Sequence, residues 1–359
     1  MTTPSLPRFL TAMAIGFFLI WALLALWIMI APLTIFNVGQ AVVIAKNDLL
    51  KRCPASDIVV FGDSRADAGI DPRLIDRRTV NFAQGGGNIA EDYYRMKRYL
   101  TCGAKPNVAI LSYILPEYCR VDPLHFWEGT AMMHLITLSE RNEILSGITE
   151  ANGADAFHIL PGEPPMEYPF LPYKMRNLLF EVYFPLLFSS SMLHALENGI
   201  VFRYHDNVRV YDAAIANHGR SEYHALPHEP GPARDAALWT GIPSPVVDRH
   251  LRMLLAMLHQ NGISAMLVVM PVNDATYSAM PAPMRESLME YLNALPTLFS
   301  NLVVPNTDLP RWPERYFGDS DMHLNALGAA AVAGILKRCL AMGSGRGAAA
   351  LCSLANPTP

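Results

Sequence analysis

The segment Asp57-Ile58-Val59-Val60-Phe61-Gly62-Asp63-Ser64-Arg65 sets the reading of the whole chain. Its apolar run is short and rich in β-branched side chains, the pattern of a strand buried on both faces of a parallel sheet. A strand is therefore expected over Asp57–Phe61. Gly62 ends it, and Asp63 and Ser64 are residue types that open a helix, because their side-chain oxygens accept its first orphan N–H groups.

Outward from this stretch the same rhythm continues. Thr79–Ala83 (TVNFA) and Asn107–Tyr113 (NVAILSY) read as a second and third strand, with a helix over Ala90–Leu100 between them. After a long interval come helix Val246–Gln260, strand Ser264–Met270, helix Met284–Leu295, strand Asn301–Pro305 and helix Ala326–Met342. Strands alternating with helices imply an α/β fold, here a doubly wound five-stranded parallel sheet of flavodoxin-like type. The interval from about 120 to 245 is rich in Pro, His and aromatic residues and reads as a largely helical insertion, with helices over Met175–Phe188 and Ser191–Phe202. It follows a strand's carboxyl end, where such folds place elements that shape a substrate site. The tail 343–359 is small and polar and is expected to be flexible.

Ahead of the α/β body, no charged side chain occurs from Phe9 to Ala45, and Phe9–Ile30 (FLTAMAIGFFLIWALLALWIMI) exceeds the roughly 20 apolar residues that cross a bilayer core. Residues 1–45 are read as a leader and transmembrane anchor, and 46–342 as the body. A cleaved signal peptide would have a shorter apolar centre and a small-x-small exit. Arg8 precedes the run and Lys46, Lys51 and Arg52 follow it, so the charge rule for orientation nearly balances. A short leader before a first apolar segment stays inside, which puts the body outside the cytoplasm.

Composition agrees with a membrane segment: charged residues are 17% and hydrophobic ones 51%. Twenty-eight Lys+Arg against 32 Asp+Glu give a net charge of −4, with no positive excess to draw in a phosphate backbone, so nucleic acid is not expected as a partner. The five cysteines contain no C-x-x-C pair, and no thiolate metal site is expected. Cys53 and Cys102 fall at the same, non-catalytic end of the α/β layer and are candidates for a disulfide in an oxidising compartment; the ordinary alternative is two small buried apolar residues.

The chemistry gathers at the carboxyl ends of the strands. Ser64 lies at a strand-to-helix turn, where backbone N–H groups can meet a developing oxyanion, and is a candidate nucleophile; the bland alternative is a helix cap. The second strand runs into Gln84-Gly85-Gly86-Gly87-Asn88, a glycine run that lets backbone approach another group closely, or simply turns. It lacks the G-x-G-x-x-G spacing, and no dinucleotide or other cofactor is expected. Asp321-Met322-His323 precedes the last helix. A carboxylate two residues from a histidine can fix its tautomer and leave the other nitrogen to take a proton from serine. A capping turn is the alternative. In a doubly wound sheet both blocks open on one edge, which makes Ser64, His323 and Asp321 a candidate triad.

With these blocks in place, the sequence resembles the SGNH or GDSL hydrolase superfamily over about residues 55–118 and 246–342. More narrowly, one anchor followed by FGDSRADAGIDP and NFAQGGGN looks like the membrane-tethered, extracytoplasmic SGNH-like proteins that include alginate O-acetylation and lipoteichoic-acid D-alanylation factors. The resemblance implies acyl-ester chemistry on cell-surface polymers: Ser64 as nucleophile, His323 as base, Asp321 as its partner, and the Ser64 and Gly86 amides in the oxyanion hole. Two departures matter. The family's Asp three residues before His is replaced by Ser320, leaving Asp321 and, as alternative triad acid, Asp319. The G-x-N-D block after the third strand is absent, since Ser112-Tyr113-Ile114-Leu115 stands there; Asn273 or Asn88 would have to supply the missing donor.

Other features are weaker. His218, His224 and His228 with Glu222 and Glu229 match no metal-ligand spacing and read as a polar loop. The aromatic segments Tyr168–Tyr173 and Tyr183–Phe188 would stack on sugar rings or bury against the core, and Arg65 would receive an anionic substrate or form a surface ion pair. The expectation is a single-pass inner-membrane protein whose periplasmic body acts as an O-acyltransferase or esterase on a cell-envelope polysaccharide. Transfer implies a membrane-bound partner that supplies the acyl group. The rival is an inactive SGNH-like glycan-binding or assembly protein.

Overall fold

Strands form where apolar runs can be buried on both faces. Ile58–Gly62 (β1), Thr79–Asn81 (β2), Val108–Ser112 (β3), Ser264–Leu267 (β4) and Leu302–Val303 make one sheet in a computed structural model, which describes residues 6–76, 78–119, 136–150, 202–221, 232, 243–318, 323–341 and 354. Between the fourth and fifth members of this sheet, Val272–Asn273 forms a further strand (β5), so Leu302–Val303 is β6. All pairings in the sheet are parallel, in the order β2-β1-β3-β4-β6. The strand order reverses between β1 and β3. There Gly62 is in register with Ser112.

The elements expected from the sequence are present within a residue or two at most boundaries. Ile89–Thr101 forms a helix capped by Asn88, and Pro245–Gln260 one capped by Ser244 with Pro at its first position; the two pack together. Ala282–Ala294 and Ala326–Ala341 follow. The fourth and fifth strands are shorter than expected, since Val268–Met270 and Val304–Pro305 remain buried without pairing as strand. Two pieces carried no sequence signal. Strand β5 pairs in parallel with Arg311–Trp312 (β7), and strands of two residues are too short to show a period. Val38–Lys51 is a helix, hidden in the sequence because its apolar residues continue the run that precedes it.

Leu6–Ile30 is a helix long and apolar enough to cross a membrane, with a mean hydropathy of 2.5 over its best window. The chain divides into two units, one holding described residues 6–41 and 202–211 and the other 42–150 and 212–354. Within the first, Asn207 donates to the carbonyls of Leu33 and Phe36 at 2.8 and 2.6 Å, and Arg203 to that of Ile35 at 2.9 Å, satisfying the turn that follows the apolar helix. The second contains the sheet and its core.

Cys53 and Cys102 form a disulfide that joins the end of helix Val38–Lys51 to the end of helix Ile89–Thr101. Cys119 and Cys339 are buried thiols. Leu354 lies within the tail expected to be flexible, yet it is buried and its carbonyl accepts the Trp312 indole N–H at 2.7 Å. A buried indole needs such an acceptor, and the tail supplies it. The helices expected over Met175–Phe188 and Ser191–Phe202 lie outside the described residues, Phe202 apart, as do Tyr168–Tyr173, Glu222, His224, His228 and Glu229.

Candidate functional site at the carboxyl edge of the sheet

Ser64 is the first residue of a six-residue helix, Ser64–Gly69, that leaves β1 directly. Asp63 caps it: one carboxylate oxygen accepts the Arg65 amide at 2.8 Å and the other the Ile114 amide at 2.6 Å. Asp63 therefore ties the helix to the segment leaving β3, the place of the absent G-x-N-D block. Burial pushes its carboxyl above the usual range, opposed by Arg65 and by these amides. Ser64 itself is half-buried, while Arg65 is buried. Arg65 thus does not stand at the surface, where the sequence suggests an ion pair or an exposed receptor for an anion.

So short a helix depends on its surroundings. Asn81, buried at the end of β2, donates to the Ala66 and Ile70 carbonyls at 3.0 and 2.8 Å. Arg220 donates to the Ala68 carbonyl at 3.1 Å and pairs with Asp71 at 2.9 Å. Burial alone would raise the Asp71 carboxyl, but hydrogen bonding to Arg73 and the Arg220 charge outweigh it and hold the carboxyl low. The His218 carbonyl accepts the Asn81 amide at 2.8 Å. Residues 218–221, within the interval read as an insertion, are thus stitched onto the core beside the Ser64 helix.

After β2, Gly86 adopts the left-handed conformation (φ 67°) in the turn before Asn88. A Cβ on Gly87 would lie 2.5 Å from the Gly62 carbonyl oxygen, so glycine is required for the turn to close on the end of β1. The Gln84 amide donates to that same carbonyl at 3.0 Å. Asn88 is buried and its side-chain oxygen caps Glu91 at 2.9 Å. Asn273 is also buried and also a cap: its oxygen accepts the Thr276 amide and its amide donates to Glu314, both at 2.8 Å. The bond to Glu314 uses one of the two N–H donors of the Asn273 side-chain amide.

His323 is 9% exposed. Its carbonyl accepts the Gly318 amide at 2.8 Å, and Phe317 bridges Leu324 in antiparallel fashion, closing the loop that holds Asp319 and Asp321. Both aspartates lie outside the described residues. Asn325 ties the loop to the last helix, donating to the Arg315 and Phe317 carbonyls at 2.8 and 3.0 Å and accepting the Gly328 amide at 3.0 Å. That helix packs on Ser64–Gly69, and Leu324 sits against Gly69, so the histidine loop is joined to the serine helix. Ser64 thus follows the carboxyl end of β1, on which the glycine turn closes, and the loop bearing His323 meets the serine helix at Gly69.

Sequence reasoning missed what lies beneath this edge. Lys46, on helix Val38–Lys51, is wholly buried and pairs with Asp67 of the serine helix at 2.6 Å. Asp67 also accepts the Ser221 amide at 2.7 Å. Nearby, Arg95 pairs with Asp92 at 2.9 Å and Glu91 at 3.4 Å, and Tyr113 donates to Asp92 at 2.8 Å. Burial pushes the Asp92 carboxyl up to about 7, against the Arg95 charge. The available signal was Lys46 as the first charged residue after the uncharged stretch from Phe9 to Ala45. Among the described residues, no cluster of His, Cys, Asp and Glu could hold a metal ion.

No family model matches the chain, and no curated protein matches it.

Proposed function

We propose that the chain is a membrane-anchored, doubly wound SGNH-type protein whose body works outside the cytoplasm as a serine O-acyltransferase or esterase on a cell-envelope glycan. The observation that carries this reading is the placement of Ser64 at the strand-to-helix turn after β1, on whose end the glycine turn closes, with the neighbour of His323 packed on Gly69 at the far end of the serine helix. The apolar helix Leu6–Ile30 supports the anchor, and the Cys53–Cys102 disulfide supports an oxidising compartment.

In the proposed reaction the Ser64 hydroxyl adds to the acyl carbonyl while His323 takes its proton. The oxyanion is met by the Ser64 and Gly86 amides. Collapse expels the donor's alcohol, which carries away the proton from His323 and leaves an acyl-serine. A sugar hydroxyl, or water, then attacks that ester and gives its proton to His323, which passes it to the Ser64 oxygen as the acyl–serine bond breaks and the acylated sugar, or free acid, departs. Asp321, or Asp319, orients the histidine. Transfer rather than hydrolysis requires water to be kept out, and the acyl group would come from a membrane-bound partner.

A second reading is a glycan-binding or assembly protein that has given up catalysis. It is favoured by the commitment of the Ile114 amide to Asp63 at the place of the absent G-x-N-D block, and by the Asn273 side-chain amide donating to Glu314. Fluorophosphonate labelling of the full chain in detergent separates the two. The enzyme reading expects labelling of the wild type that is lost in Ser64→Ala and His323→Ala; a folded wild type that stays unlabelled supports the binding protein.

A further inference from the structure

The buried ammonium of Lys46 makes two contacts that belong to different walls of the site. It pairs with Asp67, which lies one turn along the helix begun by Ser64, and it donates to the carbonyl of Ala83, the residue before the glycine turn's Gln84. Both side chains of the pair are inaccessible to solvent. The charges that face Lys46 are Asp67 in contact, with Asp92 and Arg95 farther off. Asp67 is held from its other side by the Ser221 amide.

Burying an ion pair in this way is weak support for stability, because the lost hydration of both charges offsets most of their attraction. What the pair does supply is geometry. An ammonium has three donors and can join a carboxylate on one element to a carbonyl on another at one point. The elements joined here carry the hydroxyl and the amide that the proposed reaction needs at a fixed separation.

We propose that Lys46 is a positioning residue, which sets the spacing between the Ser64 helix and the Gly86 turn from the helix that follows the apolar anchor in the chain. The inference rests on the reading of Ser64 as nucleophile for its consequence in catalysis, though not for the clamp itself. Burial lowers the Lys46 ammonium to about 8 against the attraction of Asp67, so the clamp loses its charge in mildly alkaline solution. A truncated body that begins after Lys46 would lack the clamp altogether.

The test uses the full chain in detergent, as wild type, Lys46→Met, Lys46→Arg and the double variant Lys46→Met/Asp67→Asn, which removes both buried charges and guards against simple unfolding. Amide hydrogen exchange is followed in peptides covering residues 62–69 and 83–88, and fluorophosphonate labelling is followed from pH 7 to 9.5. Expected are faster exchange in both segments in Lys46→Met and in the double variant. Labelling should be at least tenfold slower in both, partly restored by the permanently charged Lys46→Arg. The wild-type labelling rate should fall severalfold above pH 8, a limb absent from Lys46→Met. Unchanged exchange in both segments of a folded double variant, or the same alkaline limb with and without Lys46, overturns the proposal. Altered exchange with no labelling of any protein, wild type included, upholds the clamp and overturns the nucleophile reading instead.

Discussion

Leu324, the neighbour of His323, rests on Gly69, the last residue of the helix that begins with Ser64. A Cβ on Gly69 would lie 3.0 Å from Leu324 Cδ1 and 2.3 Å from Met270 Cε. The two blocks that carry the candidate chemistry are therefore spaced by the absence of one methyl group. Gly69→Ala meets only the ends of flexible side chains and is expected to cost about 1–2 kcal/mol in stability. Its effect on labelling of Ser64 should be larger, roughly tenfold to hundredfold, because misplacement by less than a side chain is enough. Melting temperature and labelling rate, compared in one preparation, check this; labelling that falls no further than stability would disconnect Leu324 from the site.

Two other glycines should behave differently from each other. A Cβ on Gly62 would lie 1.9 Å from the Ser112 carbonyl oxygen, in a backbone conformation (φ 153°) that side chains rarely adopt. Backbone cannot move aside there without parting β1 from β3, so Gly62→Ala is expected to cost more than about 4 kcal/mol and to yield little folded protein. Gly86→Ala strains its left-handed backbone (φ 67°), at about 1–2 kcal/mol, and is expected to cost less than Gly62→Ala. Folded yield and melting temperature distinguish the two.

The Cys53–Cys102 disulfide closes a loop of 49 residues in sequence separation. Constraining the unfolded chain to that extent contributes about 2–4 kcal/mol. Reduction, or Cys102→Ala, should lower the denaturant midpoint accordingly, and a midpoint unmoved by reductant would show the bond to be absent from the protein.

Asp92 gives a pH signature with a definite sign. Its folded-state carboxyl is pushed up to about 7 by burial, above the unfolded value near 4. A raised carboxyl binds its proton more tightly in the folded state, so its favourable contribution is complete below about pH 4 and is lost as pH rises through 7. Asp92→Asn removes this titration. The variant should match the wild type at pH 4 and be the more stable by roughly 2–4 kcal/mol at pH 7.5, where unfolding curves at both values can be compared. A difference that does not change with pH would place the ionisation of Asp92 outside that window.

How much of the site the sequence carries depends on distance along the chain. Ser64 and the glycine run stand out because each is a local pattern: a strand end followed by a cap, and glycines followed by Asn88 as the next cap. The five strands stand out because burial on both faces leaves an unbroken apolar run. Asn81, Arg220 and Lys46 carry no comparable local mark. Each acts through a partner far away in the chain, Lys46 across 21 residues to Asp67 and Arg220 across 149 to Asp71. The small β5–β7 pair escaped for another reason, since two residues show no alternation.

The sequence alone determined the apolar helix, the parallel α/β alternation and the residue types at the strand ends, because these follow from hydropathy, period and capping chemistry within a few residues. Only the tertiary structure decided what each of those residues touches. It showed that Asn273 accepts from Thr276 and donates to Glu314, that Asp63 ties β1 to the exit of β3, and that a lysine after the apolar helix lies buried against the serine helix. Hydrogen bonds and ion pairs act over about 3 Å, a distance that the fold closes between segments with no signal in common.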